Sequence, residues 1–240
     1  MSKHAVMITS AINSKFGVYQ SDLRLQQTIA TVASVRKYIP NADIFLLEMT
    51  GVPLTNEQRN SLVEVVDHLL DFTSDPDVTG LYSVTENWDV VKNVTEVTCF
   101  GKALKTLSSD ANFVGQYERI FKISGRYVLD ERFELEFFED YKNKHCIIIG
   151  PRNSSQFPVW MTQVEAQYMS RLWSWPADLT SEIIRFYDAA LDYMYQRLTS
   201  GGYVDIEHCL YKFLDPKKII NKNPLGISGQ LAPNGIPIKD

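Results

Sequence analysis

The feature that most constrains this chain is an alternation in its first half, where short apolar runs take turns with segments of helical spacing. AVMITSAI, Ala5 to Ile12, is mostly apolar and ends in small polar residues, as a buried strand does. A polar loop, 13–21, leads into Asp22 to Tyr38, where Leu23, Ile29, Val32, Ala33 and Val35 make a helical stripe that Asp22 is placed to cap. Pro40 and Asn41 end that helix, and ADIFLLEM is a second buried strand. LTNEQRNSLVEVV opens with Thr55 and carries Gln58 three residues on, the spacing of a capping box. DHLLDF is a third strand. Strand and helix alternating at this spacing imply βαβ crossovers and a mainly parallel sheet.

Residues 73–93, rich in Asp, Pro, Thr and Gly, read as a loop. VTEVTCFGKALKTLSS predicts a helix and ERIFKIS a fourth strand. SGRYVLDERFELEFFEDY passes through a turn into a short helix, and HCIIIG is a fifth strand. WMTQVEAQYMSRLW alternates loosely, as a hairpin or an extended cover over the sheet would. Ser181 to Leu198 is a long amphipathic helix stopped at Gly201 and Gly202, and DIEHCLYKFL is another helix. The tail KKIINKNPLGISGQLAPNG predicts a strand and then a glycine- and proline-rich loop. No repeat, low-complexity stretch or linker interrupts the 240 residues. The expectation is one α/β domain with a Rossmann-like, mainly parallel sheet and flanking helices. A domain of this size buries roughly three quarters of its unfolded surface and needs no disulfide or metal to fold.

Composition removes several classes of function. A net charge of −5 gives no general basic face for nucleic acid, though a few local Lys and Arg suffice for a single nucleotide. Cys99, Cys146 and Cys209 are odd in number, lack CxxC spacing and read as reduced thiols of a cytoplasmic protein. The start MSKHAVMITSAI has no signal-peptide pattern, and no apolar stretch approaches the roughly 20 residues of a membrane span. The sequons at Asn93 and Asn153 therefore lack a secretory context. His4, His68, His145 and His208 are scattered, so no zinc site is indicated, and no P-loop, GxGxxG or GxSxG occurs.

Ligands of open parallel sheets bind outside the carboxyl ends of the strands. The ends that matter here are 9–14, 48–51, 71–74 and 124–127. The order of parts resembles the GT-A glycosyltransferases, the nucleotide-diphospho-sugar transferase superfamily. That resemblance implies residues 1–150 as a nucleotide-binding half, and 151–240 as an acceptor-side half with a C-terminal loop. It places Thr9, Ser10, Ala11 and Lys15 of ITSAINSK, with Arg24 of the next helix, at the nucleobase and ribose. Lys102 of CFGKALKTL would face the nucleotide. In the family the fourth strand ends in D-x-D, whose carboxylates hold a divalent metal on the diphosphate. Here Ser124, Gly125 and Arg126, followed by Tyr127, stand in that place. A guanidinium pairs bidentately with phosphate and stays charged, so Arg126, helped by Lys122 and Lys102, would do the metal's work. The alternatives are that Arg126 is a structural ion-pairing residue, and that Asp130 or Glu131 binds Mg or Mn.

For the catalytic base the resemblance implies a carboxylate late in the chain, at a helix start. Glu207, Asp205 and His208 of YVDIEHCLYKFL stand there; Asp205 also suits a plain helix N-cap. Ser228 and Gln230 of the tail LGISGQLAPNG would close over the diphosphate, unless that tail is merely coil. Trp160, Tyr168, Trp173 and Trp175 suit either an acceptor sugar or the core. The expected reaction moves a sugar from a nucleotide-diphosphate donor to a carbohydrate or other hydroxyl acceptor, with inversion and without metal. The alternative is a catalytically silent relative that binds nucleotide, sugar or protein.

Overall fold

The computed structural model of the chain describes residues 3–15, 19–141, 144–231 and 235–240. The expected alternation is present. β1 (His4–Ser10) is buried at every position, and α1 (Ser21–Tyr38), β2 (Asp43–Glu48), α2 (Asn56–Val63) and β3 (His68–Asp71) follow it. Thr55 and Gln58 form the capping box at the start of α2, each side chain accepting from the other's backbone N–H. α1 departs from expectation at its cap. Gln20 holds that position without a side-chain bond, and Asp22 lies in the first turn, where its charge still suits the helix dipole.

A larger correction concerns the segment read as loop. It contains α3 (Pro76–Val84) and the first residues of α4 (Trp88–Ser108). Asp75 caps α3 with Pro76 in its first turn, and Asn87 caps α4 by accepting from Asp89 and Val90 N–H. Asp, Asn and Pro mark helix starts as readily as loops, and here they do the former.

The chain continues through α5 (Ala111–Gln116), β4 (Arg119–Ser124), β5 (Tyr127–Leu129), α6 (Leu135–Asp140) and β6 (Ile147–Ile149). Next come β7 (Arg152–Ser154), α7 (Val159–Thr162), β8 (Ala166–Tyr168), β9 (Leu172–Pro176), α8 (Thr180–Thr199) and α9 (Ile206–Phe213). β10 (Ile219–Asn221), β11 (Ile227–Gln230) and β12 (Pro237–Lys239) complete it.

Seven strands form the main sheet in the order β10-β6-β9-β4-β1-β2-β3. All run parallel except β9, which is antiparallel to both β4 and β6. The aromatic segment expected to cover the sheet is thus partly inside it. Trp173 and Trp175 of β9 are fully buried against α4 and α8 residues such as Phe100 and Phe186. The opposite face packs Val6, Ile8, Val32, Phe121, Phe133 and Phe138. The tail also differs from a coil: β11 pairs with β5 and β12 in a small antiparallel sheet.

One feature of this topology opens a cleft. From β1 the chain moves outward to β2 and β3, then returns to lay β4 on the other side of β1. Connections on the two sides of β1 therefore diverge, and a cleft opens above the carboxyl ends of β1 and β4. Gly125 sits in tight quarters there. A Cβ at this position would lie 3.0 Å from Thr9 O and 3.3 Å from the Thr28 hydroxyl. Its N–H donates to Thr9 O at 2.7 Å and its carbonyl accepts from Thr28 at 3.1 Å, which ties β4, β1 and α1 together at the cleft floor.

Candidate functional site

A cavity of about 480 Å³ fills that cleft. Thr9, Ser10 and Ala11 at the end of β1, and Ser124, Gly125, Arg126 and Tyr127 after β4, line it together with Arg24 of α1. Its other end is lined by Asp89, Lys92 and Glu96 of α4, Gln156 and Phe157, Tyr203, and Asp205 and Glu207 of α9. Those residues come from six separate stretches of chain, and the sheet brings them to one edge.

The floor is fastened by buried polar groups. Glu48, at the end of β2, accepts from the Ser10 hydroxyl (2.6 Å), Ile12 N–H (3.1 Å) and the Thr50 hydroxyl (3.0 Å). Burial raises its pKa above the ordinary carboxylate value, against those bonds. Lys122 lies beneath the cavity, 1% exposed, paired with Glu96 at 2.7 Å and donating to Ser124 Oγ and Ser170 O. It supports the wall and does not line it.

The two ends carry opposite charge. Arg24 is buried, lies over the Tyr19 ring, and makes no side-chain hydrogen bond or ion pair among the described residues; neither does Arg126. Burial, and then the neighbouring Arg126 charge, pull the Arg24 guanidinium down to about 10. Two neighbouring cations without counter-ions, Arg24 buried and Arg126 half-buried, are costly unless something anionic joins them. Arg171 adds a third guanidinium at this wall, paired with Asp240. At the other end, Glu207 accepts from the Ser170 hydroxyl at 2.6 Å. Burial, then the adjacent Asp205, raise its pKa. Tyr203 is raised as well, by burial and by Asp205, Asp89 and Glu207.

Asp205 does cap α9, its Oδ1 accepting from His208 N–H at 3.0 Å. It also lines the cavity. His208 is fully buried behind it and lines nothing.

Five of the expected substrate-binding residues lie off the cavity. Lys15 pairs with Glu86 at 3.6 Å. Lys102 is held by Asp75 (2.7 Å) and Asp77 (2.6 Å), about 9 Å along α4 from Glu96. Lys122 is beneath the floor. Ser228 and Gln230 are in β11, where pairing with β5 and β12 takes their backbone, while Leu231 next to them does line the cavity. Among the aromatics, Trp173 and Trp175 are core, Tyr168 is buried, and Trp160 is exposed away from the cavity. The face of α4 carrying Asp89, Lys92 and Glu96 was legible in principle: charged residues at a spacing of three and four in the first half of the helix, among Val90, Val91, Val94 and Val97. Gln156, Phe157, Ser170, Arg171 and Tyr203 carry no such local signal.

The residues in the D-x-D place do not fit a divalent cation. Ser124 Oγ accepts from Lys122, Gly125 has no side chain, and Arg126 is itself a cation. Asp130 is held by Arg132 through three hydrogen bonds, two from the guanidinium and one from the backbone N–H, which outweigh burial and lower its pKa, and Glu131 lies near Lys239. Neither lines the cavity. Among the described residues no group of three or more His, Cys, Asp or Glu is arranged to hold a metal, and no helix is long and apolar enough to cross a membrane.

No protein-family profile and no curated protein sequence matches this chain. Its fold does match solved structures. The mannosyltransferase Ktr4p from S. cerevisiae aligns with a TM-score of 0.54 and 12% identity, over 94% of this chain and 70% of that one. The galactosyltransferase LgtC, solved with donor and acceptor sugar analogs, gives 0.52 and 8% over 91% and 73%. Core-mannan synthase A from Aspergillus fumigatus, in an Mn/GDP form, gives 0.50 and 9% over 98% and 77%. The chain has the GT-A fold of the nucleotide-diphospho-sugar transferases.

Proposed function

We propose that this protein is a glycosyltransferase that holds the diphosphate of a nucleotide-sugar donor with Arg24 and Arg126 in place of a metal. The observation that carries this reading is the pair of guanidiniums without counter-ions at the switch point of a GT-A sheet. A diphosphate supplies the charge they lack, and each guanidinium can bind it bidentately. The nucleoside then lies over Thr9, Ser10 and Ala11, and the sugar extends toward Lys92, Asp205 and Glu207.

Transfer follows from the two ends of the cavity. The acceptor hydroxyl attacks the anomeric carbon as the bond to the diphosphate oxygen breaks. Arg24 and Arg126 take up the negative charge that grows on the leaving group. Glu207 accepts the hydroxyl proton. Its raised pKa makes its carboxylate a stronger base than an ordinary one. With the arginines behind the leaving group and the base on the acceptor side, the displacement is in line and inverts the anomeric carbon.

Calorimetric titration with UDP and GDP, with and without chelator, tests the donor site. Micromolar binding that survives chelation and is lost in Arg126→Ala supports the reading. Binding that requires manganese or magnesium contradicts it. Nucleotide-sugar turnover then separates an enzyme from a binder.

A further inference from the structure

His208 is fully buried, yet it joins two parts of the cavity wall. Nδ1 lies 2.5 Å from Asp205 Oδ1, and Nε2 lies 2.7 Å from Ser155 Oγ. Ser155 Oγ has two further neighbours: Phe157 N–H donates to it at 3.1 Å, and it donates to the Phe157 carbonyl at 2.6 Å.

Counting protons settles the roles. The carbonyl can only accept, so the single proton of Ser155 lies toward it. Nε2 must then supply its own proton to Ser155 Oγ. On the other side, two lone pairs cannot approach to 2.5 Å, so a proton also lies between Nδ1 and Asp205. The Asp205–His208 pair thus holds two protons and is neutral as a unit. Asp205 is committed on both oxygens, because Oδ2 accepts from Gln156 Nε2 at 3.3 Å.

We infer that His208 is a positioning residue, a doubly protonated imidazole that clamps Asp205 to the turn at 155–157. That turn contributes Gln156 and Phe157 to the cavity, and the Phe157 ring packs on both His208 (5.8 Å) and Tyr203 (5.4 Å). One buried ring therefore fixes the α9 cap and the wall facing it. The consequence for catalysis, which rests on the transferase reading, is a division of labour. Asp205 is occupied as the counter-ion of the imidazole, and Glu207 is left as the base.

Two-bond proton–nitrogen correlation spectra of the folded, ligand-free protein at neutral pH test the clamp without any activity assay. His208→Gln identifies the signal. Both His208 nitrogens are expected to show the protonated signature; one unprotonated nitrogen overturns the proposal. Ser155→Ala removes only the acceptor at Nε2 and is the milder variant. It should return Nε2 to the unprotonated form, and an unchanged spectrum overturns the bridge. In turnover, Ser155→Ala should raise the acceptor KM about tenfold, the scale of one lost hydrogen bond to a charged group, with donor affinity within about twofold. An unchanged acceptor KM with an altered spectrum removes the positioning role. Loss of donor binding in the wild type would instead count against the transferase reading and leave the spectral result standing.

Discussion

Arg24 of α1 and Arg126 after β4 share one cavity wall and no carboxylate. The 101 residues between them build the sheet edge that brings them together. Burial and the charge of Arg126 lower the Arg24 pKa to about 10, which records the cost of that approach.

The pair should trade stability for binding. Arg126→Gln removes one of two like charges, so the ligand-free protein should melt higher, by roughly 2–4 °C for each kcal/mol of relieved repulsion in a chain of this size. The same change should weaken nucleoside diphosphates about ten- to a hundred-fold and leave the nucleoside unaffected. Calorimetric binding and thermal melts on one preparation check both. A lower melting temperature with unchanged affinity would make Arg126 a structural residue.

Glu207→Gln keeps the shape of the base and removes its proton affinity. It should lower kcat about 10²–10⁴-fold with donor affinity intact. Asp205→Asn, which still caps α9, should cost much less. The pH profile has a definite sign. Because burial and Asp205 raise the Glu207 pKa, activity should fall toward acid through a limb lying above the ordinary Glu value near 4.5. Glu207→Gln should abolish that limb.

Glu48 should leave a signature in stability. Its folded pKa is raised from 4.5, so the folded state binds its proton more tightly than the unfolded chain. The contribution is fully present below about pH 4.5 and lost as pH rises through the raised folded value. Melting temperatures of wild type minus Glu48→Gln, taken from pH 4 upward, should therefore decline with pH and then level off. A difference that grows with pH would reverse the assignment.

The buried Glu96–Lys122 pair makes a fourth prediction. Lys122→Met strands the Glu96 carboxylate and should destabilise by about 3–5 kcal/mol, whereas Lys122→Met with Glu96→Gln should recover most of it. Denaturant titrations of the two single variants and the double variant close the cycle. Additive losses would mean that the pair contributes no coupling.

Much of the scaffold was written locally. The apolar run of β1 and the Thr55–Gln58 box depend on neighbours within a few residues, so spacing alone reports them. The stripe read for α1 holds only in part: Leu23 and Ala33 are exposed, and Arg24, Thr28 and Thr31 join Val32 and Val35 on the buried face, because α1 packs on the polar cleft floor as well as on the core. Asp205 as a cap is of the same kind, since its partner is the N–H three residues on. The loop reading of 73–93 failed because Asp75-Pro76 and Asn87 are ambiguous until the following helix finds a surface to pack on.

The site divides along the same line. The sequence by itself determined which residues stand at the ends of β1 and β4, and that Ser124-Gly125-Arg126 replaces an acidic pair there. It did not decide which cations find a counter-ion. Lys102 and Arg126 look equivalent along the chain, yet Asp75 and Asp77 neutralise the first and no described residue neutralises the second. That outcome depends on pairings across the fold, as does Lys122 meeting Glu96 and His208 meeting Ser155, 53 positions away. Charge and hydrogen-bond partnership are properties of distance in space. Only the packing of α3, α4 and α9 around the sheet decided which ionisable groups are satisfied and which are left unpaired among the described residues.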